Sequence, residues 1–231
     1  MSERIKEIVL ISASPKVEKE EPLSAYLASL EERRFKSDEF HVSNVNVRQC
    51  VMKNQTEEAF RTMLATDAMI ITFPLYFFCL PGLLMRFLQD YDQYRVRQGN
   101  VTKNARVFAV VNCGFPEPEI NEDAVRVIKS FSRRIGAEFR FGVLIGGGGM
   151  ILGAKDAPFM KKVMEQITDA FDLMREDVLG NGETPLGNRY VSVRFPRKLY
   201  FFMGNYGWMS MARQNGLQKK DLYLKPYRDR N

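Results

Sequence analysis

The sequence predicts an α/β domain built on an open, parallel five-stranded sheet with helices on both faces. Strand-like and helix-like segments alternate five times along the chain, the pattern of βα units in series. Two strand segments, 68–73 (AMIITF) and 107–111 (VFAVV), are apolar without interruption, as strands are when both faces are covered. Two helical segments carry apolar residues at spacings of three and four. These are Ala124, Val127, Ile128, Phe131 and Ile135 in one, and Met160, Val163, Met164, Ile167, Phe171 and Met174 in the other.

The elements follow in order. Glu7–Ser12 (EIVLIS) is the first strand and Leu23–Phe35 the first helix; Phe40–Val47 and Glu57–Ala65 form the second pair. Ala68–Phe73 ends at Pro74, and Pro81 sets the first turn of a helix over Pro81–Tyr94, because its fixed φ suits that position and its missing donor costs nothing there. Val107–Asn112 precedes a helix over Glu122–Ile135, and Glu138–Ile145 precedes a long helix over Pro158–Glu176. Gly and Pro cluster in Gly180–Gly187 (GNGETPLG), the expected boundary between a domain over 1–180 and an extension over 181–231.

A chain of 231 residues, 45% hydrophobic, can bury a full core. Its start, SERIKEIVLIS, passes directly into a strand without a signal-peptide pattern, so a cytoplasmic protein is expected. The charge-free run from Ala68 to Met85 is not a membrane span. Pro74 falls near its middle, Pro81 and Gly82 interrupt it again, and no cluster of Lys or Arg flanks it. Cys50, Cys79 and Cys113 are odd in number and form no CxxC pair, which argues against a disulfide framework and a structural zinc site. His41, the only histidine, sits in a strand and reads as structural.

The net charge of +6 is uneven. Residues 186–231 hold ten Lys/Arg against two Asp/Glu, so the basic character belongs to the C-terminal extension and the body is close to neutral. Aromatic residues, including Tyr200, Phe201, Phe202, Tyr206 and Trp208, are interleaved with those cations. The composition admits single-stranded nucleic acid or an anionic membrane surface as a partner. The favoured reading is a helix over Lys198–Gln214 packed on the body or across a dimer interface, because the segment lacks a dense cationic run.

In an open α/β sheet, ligands bind beyond the carboxyl ends of the strands, near the point where strand order reverses. Four loops lie there: Ser12–Ser24, Phe73–Pro81, Asn112–Asn121 and Gly146–Pro158. In the first, the hydroxyls of Ser12, Ser14 and Ser24, the Lys16 ammonium and the free N–H groups of a helix start can hold a phosphate, although Ser24 can equally be only a cap. Neither GxxxxGK[ST] nor GxGxxG is present. The second loop, FPLYFFC, places large apolar side chains where only a flat apolar partner makes their exposure tolerable. The third, NCGFPEPE, offers an amide, a glycine that admits close backbone approach, and Phe115. Together they fit a mononucleotide with a large ring, and FMN is the natural candidate. The fourth, IGGGGM, completes no nucleotide-binding pattern. It reads as a strand end opened for close approach of the flavin, another loop or a second subunit.

The segments ISASPK and PLSAYLASL, then ATDAMIITFPLYFFCLPGLLMRFLQDY, then VVNCGFPE resemble the flavodoxin-like NAD(P)H-dependent FMN reductases and quinone reductases. The resemblance covers about residues 5–178 and is most specific in the middle segment. It implies phosphate contacts from Ser12, Ser14, Lys16 and Ser24. It further implies ring contacts from Pro74, Leu75, Tyr76 and Phe77, and contacts to the ring's polar edge from Asn112, Cys113, Gly114 and Phe115. The expected activity is hydride transfer from NADH or NADPH to FMN and on to a small acceptor such as a quinone, in a homodimer. Tyr76 is the candidate catalytic residue, by donating a proton or by stacking on the acceptor. A flavodoxin-type electron carrier and a flavin-free binding module with a basic tail are the alternatives; the former is disfavoured because such carriers are usually acidic and shorter.

Overall fold

A computed structural model describes residues 5–15, 22–99, 104–181, 187–193 and 195–225. The chain forms two compact units, Met1–Val193 and Arg194–Asn231. In the first, β1 (Lys6–Ser12), β2 (Phe40–Asn46), β3 (Ala68–Pro74), β4 (Arg106–Asn112), β5 (Glu138–Ile145) and β6 (Arg189–Val191) make one parallel sheet in the order β2-β1-β3-β4-β5-β6. The sheet has six strands, not the expected five. The sixth, RYV, has only three residues and lies beyond a Gly/Pro cluster, so neither its length nor its pattern announces it.

The helices are α1 (Leu23–Phe35), α2 (Val47–Met52), α3 (Thr56–Ala65), α4 (Gly82–Arg97), α5 (Glu122–Arg134), α6 (Gly148–Ala154) and α7 (Lys161–Glu176). The short helix α2 begins where Asn46 Oδ1 accepts the Gln49 N–H at 3.0 Å, a side-chain cap that starts a helix directly at a strand end. Alternation along the strands divides the sheet's two faces. Val9, Ile11, Ala13, Met69, Ile71 and Phe73 join Phe60, Leu84, Phe87 and Tyr91 in the core beneath α3 and α4. The intervening residues, Ser12 and Thr72 among them, face the α1 side.

Strand order reverses between β1 and β3, which places the topological switch at the ends of these two strands. At the opposite, amino-terminal end, Asp177 is buried against Arg140 (Nε to Oδ1, 3.0 Å; Nη2 to Oδ2, 2.8 Å) and Arg106 (3.0 Å). His41 lies at that end too, on the surface, with its Nδ1 2.7 Å from Glu7 Oε2.

The second unit contains α8 (Arg197–Gln214) and a 3-10 turn over Lys219–Tyr223. Only Ala212 is buried in α8. Among the described residues, no helix is long and apolar enough to cross a membrane.

Candidate functional site

The loops after β1, β3, β4 and β5 meet through backbone hydrogen bonds at the carboxyl end of the sheet. Ala13 N–H donates to Thr72 O (3.0 Å), Leu75 N–H to Asn112 O (2.8 Å), and Cys113 N–H to Ile145 O (2.9 Å). Each strand therefore hands its loop to the next. The result is a fixed row of loop starts, not four independent loops.

Ser24 sits in the first turn of α1, which Pro22 precedes, and among the described residues no side chain caps the helix. Its side chain is 2% exposed, and its Oγ has no hydrogen-bond partner among the described residues. A buried hydroxyl without a partner costs about 1–3 kcal/mol. At the electropositive start of a 13-residue helix, the group that would repay that cost is an anion. The capping role open to Ser24 from its position is therefore not the one it plays. Ser12 lines a polar cavity of about 350 Å³ with Ser29, Asn44, Asn46 and Gln49. Ser14 is half-buried in the same loop, and Lys16 lies outside the described residues.

FPLYFFC folds into a two-residue hairpin. Tyr76 and Cys79 exchange both backbone hydrogen bonds (2.9 Å each), and the two residues of the tip, Phe77 and Phe78, have φ of 48° and 60°. Two successive positive φ values define the turn that Asn-Gly normally fills, so a pair of phenylalanines is strained there. Phe77 is 97% exposed, so no burial offsets its strain within the chain. Phe78, a site residue that the sequence did not single out, stacks on Phe115 of the β4 loop, with centroids 6.3 Å apart and planes at 18°. Tyr76 and Leu75 are half-buried at the hairpin's base, beside Pro74.

The β4 loop is held from behind by the glycine run. Gly148 N–H donates to Cys113 O (2.8 Å), and Gly147, in the left-handed region at φ 71°, donates to Phe115 O (2.6 Å). A methyl on Gly146 would lie 2.5 Å from Pro116 O; one on Gly148 would lie 3.0 Å from Cys113 O, 3.1 Å from Leu23 Cδ2 and 3.3 Å from Asn112 Nδ2. The close approach expected of IGGGGM is here made to another loop. Asn112 Oδ1, like Ser24 Oγ, is buried with no partner among the described residues.

Cys113 is occupied within the chain. Its N–H and carbonyl are paired as above, and its thiol, pushed up by burial, lies 3.4 Å from Phe115 O and 3.5 Å from Asn121 Nδ2. Gly114 and Phe115 are exposed beside it.

No family model matches the chain, and no curated protein is similar to it in sequence. Solved structures share its fold. An NADH:FMN oxidoreductase in its apo form aligns over 78% of this chain and 92% of its own, with 18% identity and a TM-score of 0.54. An oxidoreductase from Corynebacterium diphtheriae covers 78% and 99% at 12% identity, TM-score 0.56. An NAD(P)H:quinone oxidoreductase from Methanothermobacter marburgensis covers 78% and 98% at 11% identity, TM-score 0.52. The chain has the flavodoxin-like fold. At these identities the likeness establishes architecture, and chemistry rests on the loops.

Proposed function

We propose that this chain is an FMN-dependent oxidoreductase that takes a hydride from NADH or NADPH and passes it to a small acceptor such as a quinone. One juxtaposition carries the reading. A buried hydroxyl at a helix start, with neither partner nor side-chain cap among the described residues, stands across the strand-order switch from a strained, solvent-facing aromatic hairpin. An anion suits the first and a flat ring suits the second, and a flavin mononucleotide joins both. The names of the structural neighbours, an NADH:FMN oxidoreductase and an NAD(P)H:quinone oxidoreductase, support it.

In this reading Ser12, Ser14 and Ser24 hold the phosphate, with Lys16 as the loop's cation. Pro74, Leu75, Tyr76 and Phe77 form the wall along the ring, backed by Phe78 on Phe115. The Asn112 amide and the Gly114 and Phe115 backbone meet the ring's polar edge, and Cys113 frames them. When bound, FMN supplies the hydride chemistry. The protein's share is to orient the donor and acceptor, exclude water with the Phe77–Phe78 tip, and stack Tyr76 on the acceptor. A homodimer working in the cytoplasm completes the proposal.

Steady-state oxidation of NADH and NADPH by the FMN-loaded protein, with and without a soluble quinone, tests the activity. Quinone-dependent consumption of one nucleotide is expected. Bound flavin without nucleotide oxidation would instead identify an electron carrier.

A further inference from the structure

The helix that carries Ser24 holds a second buried polar group, which the cofactor reading leaves unused. Glu31 lies two turns further along α1 and has no solvent exposure. Its Oε1 accepts a hydrogen bond from Thr72 Oγ1 at 2.8 Å, and its Oε2 has no partner among the described residues. Thr72 is in register with Ser12 across β1 and β3, on the sheet face that α1 covers. The Thr72 carbonyl also takes the Ala13 N–H, where the β1 loop begins. One residue thus ties the start of that loop to β3 through its backbone and to α1 through its hydroxyl.

A carboxylate with a single neutral partner in a dry interior is far costlier than the carboxylic acid. Burial pushes Glu31 up to about 8, against the smaller opposing effect of the Thr72 hydroxyl, and among the described residues no charged neighbour contributes. The charged groups of the elements around it are turned elsewhere. On α1 itself, Glu32, Arg33 and Arg34 are exposed. Glu7 of β1 pairs with His41 of β2, and β3 has no charged residue. On α7, Asp172 pairs with Arg34 and Arg175 with Glu39, while Lys161, Lys162, Glu165, Asp169 and Glu176 are exposed. Lys155, just past α6, lies over the Tyr26 ring.

We infer that Glu31 is a positioning residue: its uncharged carboxyl holds Thr72, and with it the opening of the β1 loop, and its ionisation opposes a phosphate held beside Ser24. This rests on the cofactor reading. Seven residues of helix separate Glu31 from Ser24 by about 10 Å. Across a poorly screened interior, a dianion and a carboxylate at that distance repel, and the coupling is reciprocal.

The test is the dissociation constant of FMN, and of riboflavin, from pH 7 to 9.5, read by quenching of flavin fluorescence. The FMN phosphate, with its second pKa about 6, is doubly ionised across most of this range. For the wild type, the FMN constant should rise about tenfold as pH increases, the equivalent of one unit of coupling. It should stay flat in Glu31→Gln, which keeps a partner for Thr72 and cannot ionise, and riboflavin should be flat in both. Thr72→Val removes the one group that favours the ionised form, so the FMN rise should move to higher pH. This arm stands if Glu31→Gln does not fold. A flat wild-type FMN profile, or the same rise in Glu31→Gln, would overturn the inference while leaving the cofactor reading intact. Absence of FMN binding at every pH would overturn both.

Discussion

Phe78 and Phe115 stack across two loops, 6.3 Å between centroids and 18° between planes, although both are exposed. The contact joins the hairpin after β3 to the loop after β4 and holds the tip in its strained turn. Among the described residues, it is the one place where the aromatic residues of FPLYFFC meet the β4 loop ring to ring. The energetics of that turn can be tested directly.

Phe77→Gly removes a side chain that is almost wholly in water and replaces an L-residue at φ 48° with the residue that tolerates it. The flavin-free protein should gain about 1 kcal/mol, since relief of positive-φ strain outweighs the extra entropy of glycine in the unfolded chain. Thermal unfolding should show a rise of about 2–4 °C. In the same variant, FMN affinity should fall, because the wall has lost its outermost ring. A stability gain without an affinity loss would remove Phe77 from the site.

The glycine run offers a matched pair of substitutions. Gly146→Ala drives a methyl to 2.5 Å from Pro116 O, where only backbone movement relieves the clash. A loss of about 1–3 kcal/mol is expected on denaturant unfolding. Gly149→Ala meets nothing within 4 Å inside α6, and helix propensity should make it neutral or stabilising by up to about 1 kcal/mol.

Glu31 makes stability depend on pH with a definite sign. Its folded-state pKa, about 8, lies above its ordinary value, so between those two points the folded chain keeps a proton that the unfolded chain has lost. Stability contributed by this residue is complete below about pH 4.5, falls as pH rises towards 8, and is flat above. Relative to wild type, Glu31→Gln should therefore gain about 1–3 kcal/mol between pH 5 and 8, measured by denaturant unfolding at each pH. A constant difference across that range would contradict the assignment.

Asp177→Ala should cost about 1–3 kcal/mol, because it removes the buried carboxylate that pairs with both Arg140 and Arg106, leaving Arg140 with Glu138. The network lies at the amino-terminal ends of the strands, away from the loops. FMN affinity in the folded variant should consequently be unchanged, which separates stability from binding.

Much of the fold was legible because burial writes itself into composition. The strand at 68–73 and the helix over Glu122–Arg134 show it as an unbroken apolar run and a one-sided stripe. The elements that escaped are too short to show a period: RYV of β6, VRQCVM of α2, and α6, which begins inside a glycine run that helix propensity disfavours. In the site, the residue types of the loops were readable but their connections were not. Ser24 stands where a cap would, and only its surroundings reveal that its Oγ has no partner among the described residues. Nothing in the letters FF announces two positive φ values, and nothing in NCG announces that Cys113 is tied to Ile145 and Gly148. Glu31 reads as one of the charged residues of an ordinary amphipathic helix until α1 is laid over Thr72.

The most direct test of the account is the visible absorption spectrum of the purified protein after incubation with FMN and desalting, compared for wild type and Ser24→Asp. The wild type should retain flavin bands perturbed from those of free FMN, and the added carboxylate should abolish retention while thermal unfolding shows the variant folded. A wild-type protein that emerges colourless would contradict the claim that these loops hold a flavin. Equal retention by the two proteins would contradict the phosphate site at Ser24.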